Sequence, residues 1–244
     1  DGLLKTVGYI PQYGNVFLYI YGWMKDAQFM SDDGTVCRLN SPEVVEALEY
    51  MVSVYDTLGG YEEVSAFQTG FQKDALDPFI QGKVAMESHG AWRMPWLGTY
   101  GRDVNFGVAP PPMPADQIER GRNTATMNGG WSYAIPSTAR NKEAAWEFIR
   151  FMVSDEAFEI WLESEREIAE SQGHMFIPRQ LPVRDLNERF YNQYILGNPQ
   201  MPENFREGSR ILMDLLPDAY YRPVTPVGQL MWNEQLNASE NAFH

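Results

Sequence analysis

The sequence has only one cysteine, Cys37, among its 244 residues. One thiol cannot form a disulfide bond within the chain, and it cannot supply the cysteine set of a structural zinc site. Histidine is also scarce, because His89, His174 and His244 are widely separated and form no pair at the spacing of a helical metal site. These absences argue against disulfide scaffolds and zinc enzymes, so we predict neither a cofactor nor a bound metal ion.

Basic residues are few as well. The chain has 19 Lys and Arg residues against 33 Asp and Glu residues, which gives a formal net charge of −14. A phosphate backbone would be repelled by this balance, so we predict no nucleic-acid partner. No apolar run reaches the length of a membrane span, and the start at Asp1-Gly2 has no signal segment, as the mature start of an exported protein would look.

Aromatic residues, in contrast, make up 14% of the chain, with seven Trp and thirteen Tyr. Flat apolar rings of this kind suit the faces of sugar rings, although a large core also uses aromatic side chains. Two of the tryptophans follow glycines. Trp92 comes after Gly90-Ala91 and Trp131 comes after Gly129-Gly130, where the backbone can bend sharply. The pattern is consistent with a pocket wall and with two core residues alike.

Local patterns predict several elements of secondary structure. The apolar runs Lys83–Met86, behind a glycine, and Val104–Ala109, before three prolines, predict strands. The run Val16–Met24 predicts a buried segment, with a helix favoured. A capped start at Asn40–Glu43 predicts a helix that ends at Gly59, and further helices are predicted from Asn141 and after Ser154.

Three phrases together resemble the extracellular solute-binding proteins of sugar ABC importers, the maltose-binding-protein-like family. They occur in the family's order, and weaker similarity extends over nearly the whole chain. The phrases are Gly82–Met86 with Gly90–Trp92, Phe106–Pro110, and Gly129–Trp131 followed by Asn141–Ile149.

The resemblance implies an α/β fold of the type II periplasmic-binding-protein-like class, helix-rich and mostly one lobe of a two-lobed clamp. Residues 1–130 and 198–244 are expected to form the second, C-terminal-type lobe. Residues 131–197 are expected to hold the hinge crossing and helices of the first lobe, whose sheet is largely missing. The chain is thus expected to be a fragment without the N-terminal lobe and the C-terminal end. Its first-lobe helices should then expose an apolar face that another chain covers, unless the segment is rearranged.

The same resemblance implies a function. The chain is expected to belong to the substrate-binding component of an ABC transporter, which binds a carbohydrate between two lobes for import. The expected location is periplasmic or extracellular, at the cell surface. The expected partners are a small carbohydrate and the permease subunits, with membrane attachment through the permease or through a lipid anchor outside this chain. Self-association through the exposed first-lobe helices is also expected.

Ligand-binding candidates follow from the sequence and the resemblance together. Trp92, Trp131 and Trp232 are the candidate stacking residues, and we predict that their indoles line one cavity. Glu87 and Arg93 flank Trp92 and suit the recognition of vicinal hydroxyls, with a solvated loop as the alternative.

Residues near the predicted crossing and near the predicted cleft edge complete the candidate set. Gly129 and Gly130 are interpreted either as a hinge or as a close approach to the ligand, and Asn128 as a donor to a sugar. Tyr13 and Trp23 are candidate contacts by resemblance, and a core position is the favoured alternative for Trp23.

Signatures of catalysis are incomplete. Gly130–Ala134 lacks the final glycine of a nucleophile elbow, and Gly82-Lys83 lacks the upstream glycine and the following hydroxyl of a phosphate loop. We therefore predict that the chain is not an enzyme. A glycosidase needs only two facing carboxylates, so a carbohydrate-active enzyme that uses Glu87 stays an alternative, as does a sugar-sensing interaction module.

Overall fold

The computed structural model describes residues 3–130 and 132–244, and helices account for most of its regular structure. Two short strands, β1 (Thr126–Met127) and β2 (Ala219–Tyr220), pair in parallel. A π-helical turn, Tyr191–Leu196, continues the eighth helix. The helices are, in chain order, α1 (Leu18–Met24), α2 (Pro42–Thr57), α3 (Tyr61–Gln68), α4 (Arg93–Tyr100), α5 (Ala115–Glu119), α6 (Lys142–Met152), α7 (Asp155–Ser171), α8 (Arg184–Phe190), α9 (Glu203–Asp214) and α10 (Gly228–Phe243).

The chain packs as two compact units. The larger unit comprises residues 3–90, 109–128 and 214–244, and the smaller unit comprises residues 91–108 and 129–213, with residue 131 outside the described part. The chain therefore passes between the units four times, after residues 90, 108, 128 and 213. The lobe boundaries expected from the resemblance refer to a two-lobed protein and stay a prediction.

Helix α2 forms where its sequence signals place it. Pro42 occupies the first turn, where proline's missing N–H costs no hydrogen bond. Ser41 precedes it in an extended conformation but makes no side-chain cap hydrogen bond, so the predicted cap is wrong while the predicted start is confirmed. The buried face of α2 carries Val44, Met51 and Tyr55 at helical spacing. The helix ends before Gly59 and Gly60, which both adopt positive φ angles and so break the helix at little cost.

The core of the larger unit is built on α1. Five of the seven residues of this helix are buried, and it packs against α2 and α10. Gly22 lets Phe29 approach closely, because a Cβ at that position would lie 2.5 Å from Phe29 Cζ. The prediction of a buried helical segment at Val16–Met24 is confirmed for Leu18–Met24.

Neither of the two predicted strands forms a regular strand. The run Lys83–Met86 forms only a single parallel bridge, between Val84 and Val7. The strand at Val104–Ala109 is wrong, because the segment has no regular structure. The carbonyl of Val104 accepts instead from the side-chain amide of Asn204 at 3.1 Å, so a side chain takes the place of a neighbouring strand.

The smaller unit has a separate core between α7 and α8. Phe158 and Leu162 of α7 pack with Leu186 and Phe190 of α8. Asn187 holds the preceding turn, since its amide accepts from the N–H of Leu181 and donates to the carbonyl of the same residue, both at 2.7 Å. Ser154 caps α7, as predicted, by accepting from the N–H of Ala157.

Helices α6 and α7 carry exposed apolar side chains. Within Lys142–Met152 no residue is buried, although this helix is rich in aromatic residues. Exposed apolar side chains were expected for these helices, and the structure contains several. We call them together the α6–α7 apolar surface, and its exposed members are Trp146, Phe148, Phe151, Val153, Ile160, Trp161 and Ile168.

Candidate functional site

An aromatic cluster in the larger unit contains one of the predicted stacking residues. Trp232 lies on α10 beside the buried stripe of Met231 and Gln235, so its indole is only partly buried. The Phe17 ring meets the indole edge-on at a centroid distance of 4.5 Å, and the Tyr19 ring is nearly parallel to it at 6.3 Å. We call Phe17, Tyr19 and Trp232 the aromatic platform.

Arg222 stands over this platform. Its Cζ atom lies 4.8 Å from the centroid of the Trp232 ring, a cation–π arrangement. Burial raises the pKa of Tyr19, and the positive charge of Arg222 acts against that rise, so the guanidinium charge also reaches the second ring. A planar guanidinium over an indole combines a flat apolar face with several hydrogen-bond donors.

Asn128 lies at the end of β1, next to β2. Its backbone N–H donates to the carbonyl of Tyr220 at 2.9 Å, which extends the pairing of Met127 with Tyr220 by one residue. Its side-chain amide donates to the hydroxyl of Tyr221 at 3.1 Å. The Tyr221 ring is exposed, so an amide and a phenol stand together at the surface of the larger unit.

Tyr13 and Glu87 lie on two adjoining segments of the same unit. Gly14 pairs with Ser88 in a parallel bridge, and the N–H of Asn15 donates to the carbonyl of Ser88 at 2.9 Å. Gly14 has φ of 100°, and a Cβ at this position would lie 2.1 Å from the Ser88 carbonyl oxygen, so only glycine permits this approach. The Tyr13 ring packs edge-on against Phe71.

These two groups of residues are joined by a short segment. Tyr13 precedes Phe17 of the aromatic platform by four positions, so the Gly14–Ser88 bridge and the platform belong to one continuous stretch of the larger unit. Trp23, however, is only 4% exposed and packs against Phe29 and Tyr220. Its burial corresponds to the core alternative.

Trp92 and Arg93 lie in the smaller unit. Trp92 immediately precedes α4 and is 46% exposed. Arg93, the first residue of α4, is nearly buried, and its guanidinium Cζ lies 4.0 Å from the centroid of the Trp96 ring. The helix is held close to its neighbours at Gly98, where a Cβ would lie 2.7 Å from the carbonyl oxygen of Met175.

Gly129 and Gly130 are exposed and open the smaller unit directly after Asn128. A Cβ added at either position would meet no described atom within 4 Å, and neither glycine has a positive φ angle. Trp131 lies outside the described residues. The convergence of the three indoles on one cavity therefore stays a prediction.

None of the predicted site residues lines either of two cavities in the chain. A groove of about 410 Å³ in the larger unit is bordered by Leu3, Leu4 and Phe67. A cavity of about 30 Å³ in the smaller unit is bordered by Gln180, Asn187 and Tyr191, among others. Asn128 instead contacts Tyr221, and Trp232 contacts Arg222, which follows Tyr221 in the chain.

Metal-binding clusters and membrane-spanning helices are both absent from the described residues. Residues 3–130 and 132–244 contain no group of three or more His, Cys, Asp or Glu side chains that is placed to hold a metal ion. Over the same residues, no helix combines the length and the apolar character that a membrane span requires.

Sequence reasoning missed several residues that contact the predicted candidates. Tyr221, Arg222 and Phe17 were not among the candidates, although each contacts a residue that was. A usable signal was present in Tyr220-Tyr221-Arg222-Pro223, which mixes aromatic rings with a cation between two helices. Trp92, which is flanked by Glu87 and Arg93, shows a similar mixture of an aromatic ring with charged residues.

Comparison with known proteins identifies the family. The family model described as bacterial extracellular solute-binding protein matches residues 4–167, more than half of the 244-residue chain. The chain belongs to this family, which confirms the resemblance seen in the sequence and the predicted periplasmic or cell-surface location.

Individual relatives agree with this assignment. The chain is 27% identical over 180 residues to the maltooligosaccharide ABC transporter solute-binding lipoproteins of Streptococcus pneumoniae R6 and TIGR4, matching 67% of this chain and 38% of each relative. It is similar in structure to an ABC transporter solute-binding protein from Thermotoga lettingae TMO bound with alpha-D-tagatose. The two structures superpose with a TM-score of 0.57 at 20% identity, and the match covers 98% of this chain and 59% of the other. The chain thus spans less than two thirds of each of these relatives. The structural likeness confirms the predicted fold class.

Proposed function

We propose that the chain is part of the substrate-binding component of an ABC importer whose ligand is a carbohydrate held between two lobes of the whole protein. Family membership supports the proposal, and so do relatives named for maltooligosaccharide or bound with tagatose. The permease subunits are the proposed macromolecular partner. Attachment to the membrane would be peripheral, through the permease or through a lipid anchor outside this chain.

The observation that carries the proposal is the aromatic platform with Arg222 beside it. Trp232 offers an apolar ring of the kind that packs against the face of a pyranose or furanose. Arg222 brings a planar fork of donors to the same ring, and Asn128 with Tyr221 adds an amide and a hydroxyl on the same unit. Flat apolar area together with directional polar groups is what a sugar-binding surface needs.

In this proposal the two kinds of group have different tasks. Contact with the open part of the Trp232 ring removes apolar area of the sugar from water, at roughly 25 cal/mol per Å² buried. Hydrogen bonds to hydroxyls set specificity, because a sugar of the wrong configuration leaves a desolvated donor unpaired. Binding of ligand to one lobe then favours closure of the other, and the permease recognises the closed form.

The test is a titration of the full-length protein with maltotriose and with D-tagatose, followed by tryptophan fluorescence, because a chain that holds only part of the clamp should bind weakly or not at all. We expect saturable binding that weakens by about tenfold or more in Trp232→Leu, since the indole supplies roughly 1.5 to 3 kcal/mol of apolar contact.

Trp161→Leu is the matched control. Trp161 is also partly exposed and also lies near an arginine, with Arg179 Cζ 5.7 Å from its ring, but it belongs to the smaller unit. We expect its affinity to equal that of the wild type. Equal affinity in wild type and Trp232→Leu would contradict the platform as the binding surface.

A binding role without catalysis is part of the proposal. It is supported by the family's description as solute-binding. Incubation with a chromogenic glycoside should release no product, and Glu87→Gln should change nothing in that assay. Hydrolysis that is lost in Glu87→Gln would favour the carbohydrate-active enzyme instead.

We also propose that the α6–α7 apolar surface contacts a second copy when the chain is prepared alone. The surface offers several exposed aromatic rings, which monomeric proteins rarely leave in water as a group. The two helices are also acidic, with nine acidic and three basic residues between Lys142 and Ser171. Like charges oppose the contact, so association should strengthen with added salt.

A further inference from the structure

Arg122 sits at the centre of a hydrogen-bond network in the larger unit. One guanidinium nitrogen, Nη1, donates to the side-chain oxygen of Gln117 at 2.7 Å. The other, Nη2, donates to the backbone carbonyl of Trp23 and to the hydroxyl of Tyr220, each at 2.8 Å. Asp26 Oδ1 lies 3.4 Å from Nη2 and supplies the opposite charge. The guanidinium thus joins three separate parts of the chain.

The arrangement around Tyr220 makes this network specific. The Tyr220 ring stacks on Trp23 at 5.4 Å with an interplanar angle of 18°, while its hydroxyl accepts from Arg122. Tyr220 is the last residue of β2, and its carbonyl accepts from the N–H of Asn128. The two residues that follow are Tyr221, which pairs with Asn128, and Arg222, which lies over Trp232.

We infer that Arg122 is a positioning residue for the sugar-binding surface. It touches no residue of the aromatic platform directly. It acts by holding the Tyr220 ring against α1, which sets where β2 ends and therefore where Tyr221 and Arg222 project. This inference rests on the proposed function, because it assigns Arg122 a role in the same site.

The network lies close in sequence to two of the connections between the units. β1 ends one residue before the chain leaves the larger unit after Asn128, and β2 begins soon after the chain returns at residue 214. Arg122 and Tyr220 therefore tie together two of the segments that connect the units, on the side of the larger unit. The hydrogen bond between Arg122 and Tyr220 would therefore stabilise both the position of Arg222 and the backbone at these two connections.

Tyr220→Phe is the sharpest test, because it removes only the hydroxyl that accepts from Arg122 and keeps the stacked ring. Hydrogen exchange of the 244-residue chain should show faster exchange at residues 126–128 and 219–222, by about tenfold at the Asn128 amide, as expected when a charged hydrogen bond is lost. Arg122→Gln should act on the same residues. Arg150→Gln, which removes a surface ion pair with Glu147 in the smaller unit, is the control and should leave them unchanged.

The second readout is the affinity for maltotriose and D-tagatose, measured beside the melting temperature. A positioning role weakens binding in Tyr220→Phe at temperatures where the variant is still fully folded, which a merely structural role would not produce. The melting temperature itself should fall by about 2 to 4 °C for each kcal/mol lost. Unchanged exchange at residues 126–128 and 219–222, or a rise spread evenly over the larger unit, would overturn the inference. If the wild type binds neither sugar, the proposed function fails, and the exchange result still decides whether Arg122 holds β2.

Discussion

Tyr55 shows how burial of one residue sets a stability limit at alkaline pH. Its side chain is 2% exposed, and its ring packs against Tyr61 and Phe243. Burial raises the pKa of Tyr55 from 10.0 to about 12. Tyr21 responds in the same direction, since burial and its close neighbour Tyr9 raise its pKa, and its hydroxyl donates to the carbonyl of Pro11 at 2.8 Å.

We predict a loss of stability between pH 10 and pH 12. Below pH 10 the Tyr55 hydroxyl is protonated in the folded and in the unfolded chain, so its ionisation does not change the free energy of unfolding. Above pH 10 the unfolded chain ionises first, so the free energy of unfolding falls until the folded group ionises, by roughly 2 to 3 kcal/mol for a shift of this size. Urea denaturation at pH 9, 10 and 11 measures this.

Tyr55→Phe removes the ionisable group and keeps the ring, so its alkaline decline should be smaller than that of the wild type. Tyr133→Phe, at an exposed position, should leave the decline as it is. Identical declines in wild type and Tyr55→Phe would show that Tyr55 does not cause the effect.

At the scale of elements, α6 differs from α2. Both helices have apolar residues at helical spacing, but α2 has a buried stripe and α6 has no buried residue within its eleven positions. Helix α2 finds α1 and α10 as partners, whereas α6 contacts α7 and leaves Trp146, Phe148 and Phe151 about half exposed. A helix of eleven residues is marginal by itself in water, so the packing of α6 against α7 supports it although much of its apolar surface stays exposed.

We predict that Phe148→Gln reduces self-association without lowering stability. Phe148 is 59% exposed, so the substitution removes apolar surface at a cost within about 0.5 kcal/mol of unfolding free energy. Sedimentation velocity over a range of concentration and salt measures the association. Ile118→Gln, which changes an exposed apolar residue on α5, is the matched control. The same association constant in wild type and Phe148→Gln would argue against the α6–α7 apolar surface as the contact.

At the scale of the whole molecule, the connection after Asn128 is the feature that bears on the proposed clamp. Gly129 and Gly130 have room for a methyl group and no positive φ angle, so neither the local space nor the local backbone requires glycine there. Conformational freedom is then a reason for two glycines at this point, and the hinge stays a prediction.

We predict that replacing both glycines with alanine leaves the fold intact and hinders a ligand-induced change. Stability should stay equal or rise by about 0.4 to 1 kcal/mol for each substitution, because alanine restricts the unfolded chain. The fluorescence change that maltotriose induces should become slower in stopped-flow measurements. Gly70→Ala, where a Cβ also meets only an ordinary contact at 3.8 Å, is the control. Unaltered kinetics in the double variant would contradict the hinge.

The sequence by itself determined the features that depend on neighbours within a few residues. The proline at the start of α2, the serine cap of α7 and the glycines after α2 act through hydrogen bonds and backbone angles inside one helical turn. The family phrases identified the class of protein for the same reason, since each phrase is a short local pattern.

Only the tertiary structure decided burial and pairing, because both depend on residues far along the chain. Trp23 and Trp232 are the same residue type, yet Phe29 and Tyr220 cover the first while the second stays partly open below Arg222. The Val104 carbonyl found Asn204 instead of a strand, and Arg122 found Tyr220 some 98 positions away. No periodicity encodes such partners, since their free energy comes from contacts that exist only after the chain has folded.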